Sequence, residues 1–174
     1  MPNKHHFLIA LVAPVGSGKS YIANILAHKL HARRIRTDDI RVALRAQGKP
    51  YSRAPLLAKQ MIHALLAKRN SVIADFDAVF KKRQAQLKRA ARIHGANFFL
   101  IKIKTPERVI LERLQKKRYT KNDLFQHAAE AIRVYFVRKK FHEKSLPMKP
   151  HFVINNGKPL PPQIKKIVAR LKGL

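Results

Sequence analysis

The sequence predicts an α/β fold, a parallel sheet with helices on both faces, and three observations predict it. Apolar runs of strand length recur, and each is followed by a segment of helical period. A glycine-rich turn, "APVGSGKS" (Ala13 to Ser20), joins the first run to the first helical segment. The chain has 174 residues with 46% hydrophobic content, enough for one domain with a sizeable core.

The elements follow in order. "FLIALV" (Phe7 to Val12) is the first strand, and Lys19 to Leu30 the first helix, with Ile22, Ile25, Leu26 and Leu30 on one face. A short strand over Arg34 to Thr37 precedes the helical "DDIRVALRA", which Thr37 or Asp38 can cap. Pro50 to Pro55 is a turn-rich break, and "LLAKQMIHALLAK" an amphipathic helix. The third strand is Ser71 to Asp75, followed by a basic helix from Phe80 to His94 that Gly95 ends. "NFFLIKI" is the fourth strand, with Pro106 in the first turn of the helix "ERVILERLQKK". The spacing then predicts one long helix over Asn122 to Lys144, a fifth strand "HFVIN", and a closing helix "PPQIKKIVARLKGL". No repeat or domain boundary interrupts the series, so residues 1–174 read as a single domain.

Charge narrows the partners. Against 9 acidic residues stand 38 Lys and Arg, a net charge of +29. Such an imbalance attracts polyanions, nucleic acid among them, while a basic compositional habit of the source organism would also produce it. The absence of cysteine excludes disulfides and thiolate metal sites and fits a reducing cytoplasm. The N-terminus imitates a signal peptide, but cleavage after it would cut into the loop that the first helix needs. No apolar run approaches the roughly 20 residues of a membrane span.

A strand, a glycine-rich turn and a helix make a nest of backbone N–H groups reinforced by the helix dipole, which suits a phosphate. The stretch matches G-x-x-x-x-G-K-[ST] with Ala13 in the first position. Pro14, Val15, Gly16, Ser17, Gly18, Lys19, Ser20 and Tyr21 are therefore the candidate nucleotide-binding residues. Lys19 reaches the β- and γ-phosphates, and the Ser20 hydroxyl is placed for Mg²⁺. Four of the five aspartates form two close pairs, Asp38 with Asp39 and Asp75 with Asp77, each after an expected strand. The ligand crevice of an open parallel sheet lies at the carboxyl ends of its strands, so both pairs should converge near the loop. Asp75 closes its apolar run as a Walker-B-like carboxylate does, a candidate for Mg²⁺ directly or through water.

"APVGSGKS", "TDDIR", "VIADFDAVFKKR" and "ERLQKKR" together resemble the P-loop kinases grouped with polynucleotide 5′-hydroxyl kinase and the zeta-toxin-like phosphotransferases, an adenylate-kinase-like group with AAA-type ATP binding. The final "HFVINNGK" resembles their last strand and nucleotide-side loop. The resemblance implies a P-loop NTPase three-layer sandwich with a five-stranded parallel sheet and a short helical lid over about 114–142. It implies ATP and Mg²⁺ as cofactors, Asp38 as the base toward the attacking hydroxyl, and Arg41, Asp77 and Arg83 as acceptor contacts. Arg113 and Arg118 match lid arginines over the transferring group, Arg113 on the nucleotide and Arg118 in catalysis. The implied reaction moves the γ-phosphate to a hydroxyl, with a polynucleotide 5′-hydroxyl as the leading acceptor. A small metabolite, nucleoside, sugar or antibiotic is the first alternative, and a non-catalytic basic nucleic-acid-binding protein with a nucleotide switch the second.

Overall fold

A computed structural model describes residues 6–121, 123–144 and 146–173. The elements run β1 (Phe7–Val12), α1 (Lys19–Lys29), β2 (Arg33–Arg36), α2 (Thr37–Ala46), α3 (Ala54–Ala67), β3 (Val72–Asp77), α4 (Lys81–Ile93), β4 (Asn97–Lys104), α5 (Glu107–Lys116), α6 (Ala128–Glu143), β5 (Phe152–Asn155) and α7 (Leu160–Lys172). The strands form one parallel sheet in the order β2-β3-β1-β4-β5. This is the α/β arrangement expected, and it is P-loop NTPase-like.

The unbroken apolar run of β1 has a simple cause, since both of its faces are buried. Phe7, Ile9 and Leu11 pack with Ile22 and Leu26 of α1 and Ile164, Ile167 and Leu171 of α7. Leu8, Ala10 and Val12 pack on the other side with Ala58, Ile62 and Leu66 of α3 and Leu87, Ala90 and Ala91 of α4. A third, smaller cluster joins α5 to α6 through Ile110, Leu114, Ala131 and Tyr135, with Val15 of the glycine loop against it. The first two clusters rigidify the sheet, and the third seats the two lid helices on the loop.

Four local expectations are corrected. β3 continues to Asp77, because its register with β1 slips between Ala10 and Leu11, so that Leu11 pairs with Asp77. Neither Thr37 nor Asp38 caps α2; the helix begins at Thr37, and its N-cap Arg36 offers no side-chain acceptor. Asp38 and Asp39 instead sit in the first turn, where their charge favours the helix dipole. Pro106 is the N-cap of α5, with extended backbone, and lies outside the first turn.

The long helix expected from Asn122 begins only at Ala128, and Asn122 itself lies outside the described residues. The delay comes from competing caps. The Asp123 carboxylate accepts from the Thr120 N–H and hydroxyl and pairs with Lys117, which holds that stretch as a turn. His127 then caps α6 by accepting from the Glu130 N–H, while the Glu130 carboxylate accepts from the Gln126 N–H. The pattern resembles a capping box, with the return bond made to the N–H one residue before the N-cap. The closing helix ends at Lys172, and Leu174 also lies outside the described residues.

Candidate functional site

Residues from the β1–α1 loop, α1, β2, α2, β3, α4, α5 and α6 enclose a cavity of about 380 Å³ at the carboxyl edge of the sheet. Ala13 to Tyr21 form one wall, joined by Arg113. Gly16 and Gly18 have φ of 78° and 84°, a region that L side chains resist. A Cβ on Gly18 would lie 2.5 Å from the Asn156 amide nitrogen, and one on Gly16 2.8 Å from Leu114 Cγ. Only glycine fits there without displacing a neighbour.

The Ser17 carbonyl explains how the loop holds its shape. It accepts from Thr105 Oγ1 at 2.9 Å, Asn156 Nδ2 at 2.6 Å and Arg113 Nη1 at 3.3 Å. The C=O and N–H of a trans peptide point in opposite directions, so three donors on this oxygen turn the Gly18 N–H to the other side of the loop. A carbonyl is thereby kept off any bound anion. Asn156 lies in the "HFVINNGK" segment that resembles a nucleotide-side loop, although the sequence does not single it out as a site residue.

At the head of α1, Lys19 Nζ donates to Asp75 Oδ1 at 2.7 Å and Ser20 Oγ to the same oxygen at 3.2 Å. The Asp75 side chain is fully buried, with Arg34 Nε and Arg36 Nε at 3.8 and 3.9 Å from Oδ2, which accepts no hydrogen bond. Asp75 lies beneath the cavity, touching it through Lys19 and Ser20, and does not line it. Among the described residues no cluster of three or more His, Cys, Asp or Glu could hold a metal alone. Mg²⁺ keeps several waters and takes one or two protein ligands plus phosphate oxygens. The Ser20 hydroxyl and the Asp75 Oδ1 to which it donates fit such an ion, while Oδ2 lies on the side of Arg34 and Arg36.

The opposite wall carries the acceptor candidates. Asp38 and Arg41 both line the cavity and are paired, Arg41 Nη1 donating to Asp38 Oδ1 at 2.9 Å. Asp39 does not reach it and is exposed, bonded by Arg36 at 2.7 Å. Asp77 lines the cavity, but its Oδ2 is 3.3 Å from Arg138 Nη2 and 3.2 Å from His142 Nε2, both on α6. Arg83 donates to the Asp77 carbonyl at 3.0 Å and lies over the Phe76 ring. Burial pulls its pKa below the usual arginine value, and the neighbouring Arg138 and Arg41 add to this against Asp77. It remains a cation nonetheless.

The lid cations differ from expectation at one position. Arg113 lines the cavity; Arg118 is exposed and does not. The cause is local: α5 ends at Lys116, and Lys117 takes an extended backbone. Successive side chains of extended chain point to opposite sides, so Lys117 and Tyr119 face the cavity and Arg118 faces solvent. Across the mouth, Arg45 of α2 donates to the carbonyls of Lys121 and Asp123 at 2.7 and 2.9 Å, tying the lid turn down. Lys117, Arg138, His142 and Arg45 were not expected at the site. Arg138 carried a signal, as part of the basic run Arg138-Lys139-Lys140 in a helix expected near the lid.

A family described as an AAA domain matches residues 8–138. The chain belongs to this family. The matched stretch of this AAA-domain chain runs from β1 through the cavity walls into α6, and includes Arg138. No curated protein matches the chain. Among solved structures it is similar to a gluconokinase from Sinorhizobium meliloti 1021, at 17% identity over 95% of this chain and 91% of that one, with a TM-score of 0.62. It is similar to the Mycobacterium tuberculosis APS kinase CysC in complex with AMPPNP and APS, at 15% identity over 97% and 98%, TM-score 0.64. A shikimate kinase from Aquifex aeolicus vf5 follows at 17% identity over 96% and 97%, TM-score 0.59. These similarities establish the fold, a P-loop NTPase-like α/β arrangement. Among the described residues no helix is long and apolar enough to cross a membrane.

Proposed function

We propose that this AAA-domain chain is an ATP- and Mg²⁺-dependent phosphotransferase that moves the γ-phosphate to a hydroxyl of a small polar metabolite. The observation that carries this reading is that Lys19 and Ser20 on one wall face Asp38 and Arg41 on the other across a single cavity. The amides of the loop and the N-terminus of α1 would take the phosphate tail, and Lys19 would leave Asp75 for the β- and γ-oxygens. Mg²⁺, held by Ser20 and by Asp75 through water, would neutralise the charge developing between those oxygens. Asp38 would accept the proton of the attacking hydroxyl, with Arg41 fixing its carboxylate. Arg113 and Lys117 would spread positive charge over the transferring group, a role we assign to Lys117 in place of Arg118. The lid turn tied by Arg45 would exclude water. Residues 1–174 would act as one kinase domain, in a cytoplasm that supplies the nucleotide.

The small acceptor is preferred because the similar solved structures are named as kinases of gluconate, shikimate and APS. A second reading, a polynucleotide 5′-hydroxyl as acceptor, draws on α4. That helix starts beside Arg83, carries Lys81, Lys82, Lys88, Arg89 and Arg92 on its exposed side, and contains no acidic residue. A backbone of phosphates could track along it. An acceptor screen with γ-labelled ATP tests both. Labelled small hydroxylated products support the first reading, and labelled 5′-ends of RNA or DNA the second. Tight ATP binding with no transfer to any acceptor would overturn both and leave the nucleotide-switch reading.

A further inference from the structure

A second cavity, of about 290 Å³, lies between α3 and α4 and shares Thr37, Phe76 and Arg83 with the first. Its chemistry is different. Beyond the shared residues its wall is made by Pro55, Leu56, Ala58, Ile62, Leu87 and Ala90, with Lys59, His63 and Gln86 at its polar side. The two cavities are thus neighbours, one polar and charged, the other largely apolar, with a single guanidinium bordering both.

Arg83 is unusual among the cations of the first cavity. Lys19, Arg41, Arg138 and Lys117 each have a carboxylate within ion-pair distance; Arg83 and Arg113 have none among the described residues, and of these two Arg113 is exposed while Arg83 is half-buried, donating to the Asp77 carbonyl and lying over the Phe76 ring. Neutral acceptors satisfy one or two of its five N–H groups and none of its charge. The nearest carboxylate, Asp77, is already engaged by Arg138 and His142, so this partly desolvated cation is incompletely compensated, and a ligand anion would complete the compensation. Arg is also the residue whose planar fork grips a carboxylate or phosphate by two parallel hydrogen bonds.

We propose that the acceptor is an amphiphilic organic anion: its carboxylate or phosphate sits on Arg83, its hydroxyl faces Asp38, and its apolar part fills the second cavity between α3 and α4. The proposal rests on the phosphotransferase reading and adds the substrate class. Three parts of one small molecule would then be read by three different surfaces. The apolar part would contribute most of the selectivity against plain sugars, because a sugar ring would bring hydroxyls into a pocket walled by Pro55, Leu56, Ile62 and Leu87 with few groups to pair them. The second cavity would need no role in phosphate chemistry, which explains why none of the loop residues borders it.

Three matched hydroxy compounds test this by NMR titration of the full chain: 3-phenyllactate, lactate, which lacks the ring, and 3-phenyllactamide, which lacks the charge. The subsite predicts that 3-phenyllactate binds at least about tenfold tighter than either of the others, since burying a phenyl ring or satisfying a guanidinium each gives that much. Arg83→Gln should remove the preference for acid over amide and retain the preference for the ring. Gln86→Trp, at an exposed helical position on the cavity rim, should remove the preference for the ring and retain that for the acid. ATP affinity is measured in the same samples. Equal affinity for all three compounds in a protein that binds ATP would overturn the subsite alone. Absence of ATP binding would overturn the phosphotransferase reading and the subsite with it.

Discussion

The two walls of the main cavity are built from different materials. The nucleotide wall is largely backbone, a run of eight contiguous residues from Ala13 to Ser20 whose shape depends on two positive-φ glycines and on one carbonyl held by three donors. The acceptor wall is side chains only, contributed by α2, β3, α4 and α6, and held by ion pairs such as Asp38–Arg41 and Asp77–Arg138. A backbone cradle recognises what every nucleoside triphosphate shares. A side-chain wall can be exchanged residue by residue, so specificity resides there.

If that contrast is right, substitutions in the two walls should fail in different ways. The largest effect is expected from Lys19→Ala, which should lower transfer by about 10³-fold or more, since it removes a charge aimed at the phosphates. Gly18→Val should act similarly by pushing Asn156 off the Ser17 carbonyl, and a nucleotide-binding titration should register both losses. Asp38→Asn should lower kcat by about 10²- to 10⁴-fold while ATP affinity stays unchanged. An equal loss of ATP affinity would put Asp38 on the nucleotide wall and break the comparison.

Asp77→Asn should act on the lid and on stability. Without its carboxylate, Arg138 of α6 loses its counter-charge and His142 Nε2 a polar partner, and Tm should fall by roughly 2–4 °C, about 1 kcal/mol in a chain of this size. A smaller effect concerns pH, through His6 before β1 and through His63, which also borders the second cavity. His63 Nδ1 and His94 Nε2 are 3.0 Å apart, with Lys59 on the same helix as His63 and Arg69 near His6. Burial first, then the neighbouring cations, holds His63 and His6 below the usual histidine range. The neutral forms are therefore the ones the fold prefers. Stability should be complete above about pH 6.5, the unfolded value, and fall as pH drops from there through the depressed folded values. Thermal melts from pH 7.5 to 5 should lose a few degrees, and His63→Gln should flatten the slope. The smallest effect is expected from Arg118→Ala, which should change kcat less than about twofold, while Lys117→Ala costs more.

Those same residues separate what the sequence reveals from what it hides. The sheet, its two helical layers and the phosphate loop are legible because their signals are contiguous: "FLIALV" is apolar throughout since both faces of β1 are buried, and the loop motif lies in one stretch. Asp38 and Asp75 are legible because few carboxylates exist in so basic a chain and strand ends bring them to one edge. Asn156 is legible only as part of the "HFVINNGK" resemblance to a nucleotide-side loop; its particular contact with Ser17 spans 139 residues and is not. The choice between Lys117 and Arg118 turns on where α5 stops, which depends on the extended backbone at Lys117. The late start of α6 depends on Asp123 and His127 as caps, and helical spacing continues through both. Arg138 and His142 reach Asp77 only once α6 is folded across the sheet edge.

The central claim is that the first strand-to-helix junction holds the phosphate tail of ATP through Mg²⁺, with Ser20 and Asp75 as the ion's protein side. Calorimetric titration of the full chain with ATP, with and without Mg²⁺, tests it most directly. The account predicts one ATP per chain, bound markedly tighter with Mg²⁺, and a loss of that Mg²⁺ enhancement in Ser20→Ala. Binding that ignores Mg²⁺, takes several nucleotides per chain and vanishes with added salt would mean that the protein's charge alone attracts ATP, and would contradict it.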